Sequence, residues 1–586
     1  MFRELIRKIL VRFQLSGTQI LVILSVFVGL ATSLGALGFA KLIEYFNQLF
    51  FGLTDQILTT TVGLESVGGY KWWFPIIPAL GGLLVGPIVY KFASEARGHG
   101  VPEVMNAVAR LGGIIRPRVA AAKAVASAIC IGSGGSAGRE GPIVQIGSAL
   151  GSTVGQLFRM SGDRVKILVG CGAAAGISAV FNAPIAGVFF SMEIILGDFA
   201  IKTFAPVILA SVVSSVVTRA VIGDHPAFTV PAYSLVSAWE IPLYIIMGVG
   251  LGLFSIGFTK VLVWFEDLFE RIRIVNWTKP ALGGLLLGTL AIFYPQILAD
   301  GYQTISLTLH GELALWLMVI LIVLKLLATS LTLGSGNSGG IFAPSLFMGA
   351  VAGGSFGVMV NKLFPSVTAT PGAYALVGMA GMVAGATHAP ITALLIIFEM
   401  TSDYRIILPL MVTVVIAVLV AQKLSPYSIY TSKLAKRGID LRGGKDVNVL
   451  KSHLVDAIMD TQFETVPAAT TLMDLFRRVE NSRESYFIVV DRQGNLSGVL
   501  SFQDIRSLLS QHTLDNLVIA QDVVSPDTVT LQTDDDLEKA YLLFGRGDYA
   551  LIPVMSSSTS RKVVGVVRRT NLIDYYNRQL IERLRQ

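Results

Sequence analysis

The sequence predicts an all-α polytopic membrane domain with two repeated halves and broken, re-entrant helices, followed by a small α/β pair of domains. Of the 586 residues, 53% are hydrophobic and 15% are charged, against roughly 25% charged residues in soluble domains. Gly-rich segments recur in the apolar part at a nearly fixed spacing. The tail after Lys423 has the composition of a soluble protein and carries a shorter repeat of its own.

Charge and cysteine usage exclude several classes of protein. The net charge is +7, and basic residues flank the apolar part: Arg3, Arg7, Lys8, Arg12, Lys433, Lys436, Arg437 and Arg442. Basic residues beside membrane segments favour the cytoplasm, so both termini are expected there. No basic stripe with interleaved aromatic residues indicates a nucleic-acid partner. Cys130 and Cys171 lie in apolar segments, which indicates packing rather than a disulfide or a metal site.

About eleven apolar stretches are long enough to reach through or into a bilayer roughly 30 Å thick. Clear examples are Ile20–Ala40, Trp73–Tyr90, Thr203–Ile222, Ile241–Val263, Leu313–Thr332 and Ile406–Gln422. The first is expected to be a retained helix, because the apolar run continues without a convincing cleavage site.

Other apolar segments are interrupted by Gly and Pro and therefore predict broken helices. They are Ala120–Leu150, Ile167–Leu196, Gly340–Leu363 and Tyr374–Met400. Irregular backbone is tolerated at membrane depth only where protein buries it or where it lines a water-filled cavity. The interruptions therefore indicate a permeation site.

An internal repeat defines the architecture of the membrane part. Gly132–Ser152 aligns without gaps to Gly334–Gly354, with eight of 21 positions identical. A second pair follows in the same order, Asn182–Ile185 with Glu193 against His388–Ile391 with Glu399, and the two offsets are 202 and 206 residues. Repeated halves with discontinuous helices are typical of secondary transporters whose site lies at the repeat interface. Whether the repeat is inverted in the membrane stays open.

The soluble tail repeats at a spacing of 63 residues, with Thr465 matching Thr528 and Tyr486 matching Tyr549. Each copy runs from a helical pattern into an apolar strand, a polar turn, a second strand and a helix, which predicts two tandem α/β modules.

The expected segments are an N-terminal cytoplasmic stretch (1–14), the membrane domain (15–435, halves about 15–222 and 240–425), a linker (436–452) and two modules (453–512 and 519–580).

Four loops have the character of anion sites: Gly98–Pro102, Gly138–Pro142, Gly340–Pro344 and the stretch before Tyr430. Gly-rich loops that lead into helices expose successive N–H groups, and the helix N-terminus adds a partial positive charge. The alternative is that these glycines only allow close helix packing. That alternative is weaker for the repeated pair of loops than for an isolated one.

The motifs GHGVP, GREGP and GGIFAP, in this order and at these separations, resemble the anion-filter motifs of the CLC chloride family, and FNAPIAG fits the same pattern. The resemblance covers essentially the whole chain. It implies the CLC fold, a homodimer with a separate anion path in each subunit, chloride as the substrate and no required cofactor. It also implies a non-enzymatic protein in a prokaryotic inner membrane.

Site residues follow from the resemblance, motif by motif. It implies that the amides of Ile341 and Phe342 and the hydroxyl of Tyr430 hold a central chloride, with Tyr427 a weaker candidate for that hydroxyl. The loop at Glu140 would form an external site. The complete anion-binding set that it implies is His99, Gly100, Arg139, Gly141, Ile341, Phe342 and Tyr430. Lys123 resembles a family residue that raises the positive potential from a distance.

Glu140 is the candidate gate. A carboxylate in an anion-binding loop competes with the anion, and its ionisation in low-dielectric surroundings responds to protons. Deprotonated, it would block the outer path; protonated, it would swing away and couple protons to anion movement. The alternative is that Glu140 only interacts with the helix N-terminus or pairs with Arg139.

Two residues depart from the family pattern. His99 stands where the family usually has a serine whose hydroxyl contacts the central anion, so anion preference and pH dependence are open. Ile194 stands where proton-coupled exchangers usually have a glutamate, and isoleucine cannot relay a proton. The adjacent Glu193 points about 100° away on a helix and matches Glu399, which favours a structural role. We expect Cl⁻/H⁺ exchange because Glu140 is intact, and a passive gated chloride channel is the alternative because of Ile194.

The tail modules resemble cystathionine-β-synthase (CBS) domains, which in some proteins bind an adenine nucleotide. The first copy has the family's Gly-h-h-Ser-x-x-Asp pattern, with Ser501 and Asp504 as candidate ligands; the second copy has Arg568 and Asn571 at those places. A nucleotide-free structural pair is the equal alternative.

Three rival functions are weaker. A magnesium-type cation transporter with CBS modules would need clustered membrane carboxylates, which the apolar part hardly offers. A fluoride exporter is nearer, but the loop motifs resemble the chloride type. An enzyme would need a nucleophile, a base and an oxyanion site, and no such set is apparent.

Overall fold

The computed structural model describes residues 17–53, 73–224, 228, 230, 233, 235–401, 403–439, 450, 453–482, 484–502, 518–524, 528–547, 549–556 and 561–585. The chain divides into two compact units, Met1–Asp440 and Leu441–Gln586. The basic residues Arg3, Arg7, Lys8, Arg12 and Arg442 lie outside the described residues.

The first unit is built of helices throughout its described part. The helices are α1 (Gly17–Asn47), α2 (Ile76–Pro87), α3 (Val101–Arg110), α4 (Arg118–Gly132), α5 (Glu140–Leu157), α6 (Gly162–Phe181), α7 (Pro184–Phe190), α8 (Ile201–Ile222), α9 (Glu240–Arg271), α10 (Lys279–Phe293), α11 (Tyr302–Leu309), α12 (Leu315–Gly334), α13 (Phe342–Leu363), α14 (Pro371–Thr387), α15 (Pro390–Thr401), α16 (Ile407–Leu424) and α17 (Thr431–Lys436). The predicted all-α membrane domain is confirmed.

Seven helices in the described part of the chain are long and apolar enough to cross a membrane. They are Gly17–Gly52, Gly162–Phe181, Ile201–Ile222, Glu240–Arg271, Leu315–Gly334, Phe342–Leu363 and Ile407–Leu424. Shorter apolar helices cover Ile76–Phe92, Pro184–Leu196 and Pro390–Thr401. Three of the six stretches named from the sequence fall within the long helices. Leu313–Thr332 and Ile406–Gln422 begin two residues and one residue before theirs, and Trp73–Tyr90 overlaps a short helix.

Three of the four predicted helix breaks are present, and one is wrong: the run from Gly340 to Leu363 forms a single helix, α13 (Phe342–Leu363), because Pro344 lies in its first turn, where a proline is tolerated. The run from Ala120 to Leu150 divides into α4 and α5, and the run from Tyr374 to Met400 divides into α14 and α15. At the ends of α6 and α14, Asn182 and His388 both adopt the left-handed conformation, with φ of 55° and 58°. The repeat therefore preserves backbone geometry where the side chains differ.

Equivalent glycines of the two halves form reciprocal hydrogen bonds. The N–H of Gly138 donates to the carbonyl of Gly340 at 2.8 Å, and the N–H of Gly340 donates to the carbonyl of Gly138 at 2.7 Å. These glycines are each other's counterparts in the repeat. Reciprocal contacts of this kind are produced by a two-fold axis between two copies of a unit. The two copies of the repeat are therefore related by an approximate two-fold axis at this contact.

A second reciprocal contact caps two short helices. Glu193 accepts from the amides of Ile391 (3.2 Å) and Thr392 (2.8 Å) at the start of α15. Glu399, on α15, accepts from the amides of Ile185 (3.0 Å) and Ala186 (2.6 Å) at the start of α7. Each carboxylate thus satisfies amides that have no partner within their own helix and opposes the positive end of the helix dipole. Both glutamates have a structural use.

Replacing Glu399 by alanine is expected to destabilise the membrane unit. Two amides at the start of α7 lose a charged acceptor, and a hydrogen bond to a charged group contributes roughly 1.5–3 kcal/mol. We expect the melting temperature of the detergent-solubilised protein to fall by several degrees. Glu312, which is exposed, provides the control variant Glu312→Ala. Equal melting temperatures for the two variants would contradict the capping role.

The second unit contains two three-stranded sheets with helices. Its strands are β1 (Thr465–Pro467), β2 (Tyr486–Val490), β3 (Leu496–Ser501), β4 (Leu531–Gln532), β5 (Leu551–Met555) and β6 (Val563–Arg568). Its helices are α18 (Leu472–Asn481), α19 (Ala520–Val523), α20 (Leu537–Arg546) and α21 (Arg569–Arg585). The sheet orders are β1-β2-β3 and β4-β5-β6, each with one parallel and one antiparallel pair. The predicted tandem α/β modules are confirmed.

The two modules pack against each other through apolar strand residues and an ion-pair group. Ile488 of the first module clusters with Leu551 and Val566 of the second. Arg568 donates to both carboxylate oxygens of Glu484 at 3.0 Å and also pairs with Asp460. Burial lowers the pKa of Arg568, but the hydrogen bond with Asp460 and the charge of Glu484 outweigh it, and the pKa is raised. This arginine therefore stays charged and links the modules.

Candidate functional site

Three Gly-rich loops of the membrane unit meet at one place. The N–H of Gly98 donates to the carbonyl of Asn337 at 3.0 Å, and the N–H of Gly339 donates to the carbonyl of Gly98 at 3.3 Å. The Gly138–Gly340 pair joins the second loop to the third. Loops that are distant in sequence are thus held side by side by backbone hydrogen bonds.

Each of these loops leads into a helix N-terminus. Helices α3, α5 and α13 begin at Val101, Glu140 and Phe342, directly after the three loops. The first N–H groups of a helix have no intrahelical acceptor and carry partial positive charge. A β-carbon at Gly141 would lie 2.5 Å from the carbonyl oxygen of His99, so only glycine permits this approach. Amide donors of three helices can therefore serve an anion here without a full cation.

His99 and Tyr430 lie together at this junction. Each is 2% exposed, and their ring centroids are 5.8 Å apart. The Nδ1 atom of His99 is buried without a hydrogen-bond partner among the described residues. Tyr430 directly precedes α17, whereas Tyr427 is only partly buried. Burial beside His99 favours Tyr430 over Tyr427 as the residue of the site.

Two buried lysines fix the loops before α3 and α11. The Nζ of Lys123 donates to the carbonyls of Ala96 (3.0 Å) and Gly98 (2.6 Å). Its repeat counterpart Lys325 donates to the carbonyls of Ile297 (3.0 Å) and Ala299 (2.9 Å). Both lysines are fully buried, so each orders a loop from inside the protein.

Glu140, the first residue of α5, is 1% exposed. The hydroxyl of Tyr302 donates to its Oε1 atom at 2.6 Å. The Oε2 atom is buried without a hydrogen-bond partner among the described residues and lies 2.1 Å from where a β-carbon of Gly138 would stand. The neighbouring Arg139 lies over the ring of Tyr302, with 5.1 Å between Cζ and the ring centroid. A carboxylate with one unused oxygen thus lies beside the amide donors.

Comparison with known families agrees with this geometry. Residues 81–422 match the family model described as voltage gated chloride channel. The chain belongs to the voltage-gated chloride channel family. Residues 455–511 and 520–578 each match the CBS domain model, so the tail is a tandem CBS pair. The protein is accordingly an anion-transport protein of this family.

Relatives of known description are similar along most of their own length. A putative chloride channel protein ClcB-like of Ralstonia nicotianae is 32% identical over 418 residues, covering 70% of this chain and 96% of that protein. An H(+)/Cl(-) exchange transporter ClcA of Vibrio campbellii is 34% identical over 354 residues, covering 59% of this chain and 76% of that protein. The crystal structure of a slow cyanobacterial Cl-/H+ antiporter superimposes with a TM-score of 0.66 at 26% identity, covering 72% of this chain and 98% of that one.

Ile194, which stands where exchangers of the chloride channel family usually have a glutamate, lies just after α7. Ile194 is buried in a π-helical turn, Ser191–Leu196. The side chain of Glu193 is engaged in capping α15, where it also accepts from the hydroxyl of Thr392 at 2.6 Å. The structure thus gives Glu193 a fixed partner and leaves an apolar side chain at position 194.

The candidate nucleotide residues of the CBS pair are only partly described. Ser501 ends β3, whereas Asp504 lies outside the described residues. At the equivalent place in the second module, Arg568 is engaged by Asp460 and Glu484. That ion-pair group, rather than a serine hydroxyl, occupies the second copy's position.

Sequence reasoning missed two residues that the structure brings to the candidate site, Tyr302 and Lys325. Lys325 had a signal, since it lies 202 residues after Lys123, the same offset that relates Gly132 to Gly334. Tyr302 had none. It is the first residue of α11, directly after a loop equivalent to the one at Gly98. The two loops share no motif, and only tertiary packing brings its hydroxyl to Glu140.

Proposed function

We propose that the protein exchanges chloride for protons across a membrane, with Glu140 as the gating and proton-coupling residue. The observation that carries this proposal is the buried carboxylate of Glu140 at the start of α5, beside the loop that begins α13. A carboxylate and a chloride ion seek the same amide donors, so the two compete for one place.

The anion would be held without a full cation in contact with it. The amides of Ile341 and Phe342 at the start of α13 are its proposed donors, together with the hydroxyl of Tyr430. The ring of His99 would replace the usual serine hydroxyl, and its unpartnered Nδ1 atom supports such a role. Lys123 adds positive potential from behind the first loop.

Proton coupling follows from the two states of Glu140. When ionised, the carboxylate competes with chloride for the amides. When protonated, the carboxyl group accepts hydrogen bonds from these amides more weakly. It then moves out of the anion path, and chloride can occupy the site. A proton is therefore taken up when an anion displaces the side chain, and it is released when the carboxylate returns.

Protons need a route that does not use position 194. A cavity of about 380 Å³ is lined in part by Glu95, Glu103, Asn106 and Gln145. The Oδ1 atom of Asn106 and the Oε1 atom of Gln145 are buried without partners among the described residues. Buried polar oxygens of this kind are commonly satisfied by water. Gln145 lies on α5, five residues after Glu140, so the cavity supports a water-borne route towards the gate.

A passive, gated chloride channel is the second candidate. Ile194 favours it, because an isoleucine cannot receive a proton and Glu193 is engaged with the amides of α15. The exchanger is preferred because the relative from Vibrio campbellii is described as an H(+)/Cl(-) exchange transporter and the cyanobacterial structure as a Cl-/H+ antiporter.

The reversal potential of the protein in liposomes separates the two candidates. Under a chloride gradient with an added pH gradient, we expect a potential that moves with pH, because each anion step is tied to a proton. A potential that stays at the chloride equilibrium value would contradict exchange and establish a channel. Liposomes without protein give the leak control.

The assembly, topology and tail ligand are further parts of the proposal. The family resemblance supports a homodimer in a prokaryotic inner membrane, and the basic residues that flank the membrane part support cytoplasmic termini. The mass of the solubilised protein by light scattering tests the dimer. An adenine nucleotide at Ser501 and Asp504, or a nucleotide-free structural pair, are the alternatives for the CBS modules. Equilibrium dialysis of the full chain with ATP distinguishes them.

A further inference from the structure

We propose that Tyr302 is a positioning residue that draws the carboxylate of Glu140 away from the amides of α13 and leaves those amides to the anion. The inference rests on the proposed function of Glu140 as the gate. Tyr302 belongs to the second half of the repeat and Glu140 to the first, so one half would control the position of the gating carboxylate of the other.

The hydrogen bonds of the carboxylate support this assignment. The hydroxyl of Tyr302 donates to Oε1 at 2.6 Å, while Oε2 has no partner among the described residues. Within the same described part of the chain, no hydrogen bond joins Glu140 to the amide of Ile341 or Phe342. The carboxylate is therefore held by a side-chain donor and not by the amides with which it competes.

The backbone around Tyr302 is firmly fixed. Lys325 binds the carbonyls of Ile297 and Ala299, and the Oδ1 atom of Asp300 accepts from the N–H of Tyr302 at 3.3 Å. Ala299 has a φ of 50°, a left-handed conformation that a non-glycine residue keeps only when its surroundings enforce it. The hydroxyl is consequently presented to Glu140 from the start of α11, directly after a rigid loop.

The ring of Tyr302 is fixed as well. The guanidinium of Arg139 lies 5.1 Å from the ring centroid. The ring of Phe228 packs against it in a T-shaped arrangement, with 5.3 Å between the two ring centroids. A cation over a phenol ring is attracted to its face, and its charge also strengthens the O–H group as a donor to a carboxylate. Arg139 therefore supports the bond to Glu140 through Tyr302.

Removal of the hydroxyl shifts the competition towards the amides. In Tyr302→Phe the ionised carboxylate loses its side-chain donor and occupies the amides more of the time. We expect chloride efflux from liposomes at neutral pH to fall about tenfold, the effect of losing one hydrogen bond to a charged group. At acidic pH a protonated Glu140 no longer competes, so efflux by Tyr302→Phe returns towards that of the unmodified protein.

Two further variants make the experiment specific. In Glu140→Gln no carboxylate is left to compete, so adding Tyr302→Phe is expected to change neither efflux nor its pH profile. Tyr233→Phe is the matched control, because the Tyr233 hydroxyl donates to the carbonyl of Leu309 at the other end of α11. It is expected to keep the unmodified pH profile.

The outcomes separate this inference from the proposed function. Efflux by Tyr302→Phe that is unchanged or faster at neutral pH overturns the role of Tyr302, as does a loss that persists in the Glu140→Gln background. A pH dependence that survives in Glu140→Gln alone overturns the gate itself.

Discussion

Replacing Glu140 by glutamine is expected to abolish proton transport while chloride transport continues. Glutamine keeps the shape of the protonated side chain but cannot exchange a proton, so no anion step remains tied to a proton. We expect proton flux driven by a chloride gradient to fall at least about 100-fold, the usual scale for losing a proton-transfer group. Proton uptake and chloride efflux, recorded together from liposomes, measure both effects.

The pH profile of chloride efflux tests the same substitution. Efflux by the unmodified protein should rise as the pH falls, because protonation removes a competitor from the amides; efflux by Glu140→Gln should stay level. Glu44, an exposed residue of α1, supplies the control variant Glu44→Gln. A Glu140→Gln protein that still moved protons against a pH gradient would contradict the assignment of the gate.

Replacing His99 by alanine is expected to weaken chloride binding about tenfold or more. The ring is buried at the loop junction, and its Nδ1 atom has no partner among the described residues. A hydrogen bond to a charged group contributes roughly 1.5–3 kcal/mol, which corresponds to about one to two powers of ten in affinity. Isothermal titration of the detergent-solubilised protein with chloride measures the change.

A serine at the same position provides the comparison for His99. His99→Ser restores the donor that the chloride channel family usually has there, so its chloride affinity should exceed that of His99→Ala. Comparing these two variants separates the loss of a donor from the loss of ring volume. Equal chloride affinities for His99→Ala and the unmodified protein would mean that the ring does not face the ion.

Much of the fold followed from local sequence signals. The membrane helices were predicted because twenty or so apolar residues have few other stable environments, and the breaks were predicted because Gly and Pro interrupt those runs. Four of the six tail strands, β2, β3, β5 and β6, were predicted to within about one residue of their ends, since apolar runs and polar turns are local properties. The strands β1 and β4, which have three and two residues, were missed.

The candidate site was predictable only where a motif marks it. The loops at Gly98 and Gly340 carry motifs because their backbone needs glycine: Gly98 has a φ of 73°, and at Gly340 a β-carbon would lie 2.8 Å from the amide nitrogen of Gly141. Constraints of this kind are visible in the residue type. The bond between Tyr302 and Glu140 leaves no such mark, because the sequence around a tyrosine at a helix start does not show which distant side chain its hydroxyl reaches.

The sequence by itself determined the membrane and soluble parts, the two repeats, the helix breaks and the glycine loops, because hydropathy, turn chemistry and backbone sterics act over a few residues. The tertiary structure decided how the halves meet. The reciprocal bonds of Gly138 with Gly340, and of Glu193 and Glu399 with opposite helices, require a two-fold relation that no local pattern encodes. Side-chain partners across that relation, Tyr302 with Glu140 above all, depend on distances between residues more than a hundred positions apart.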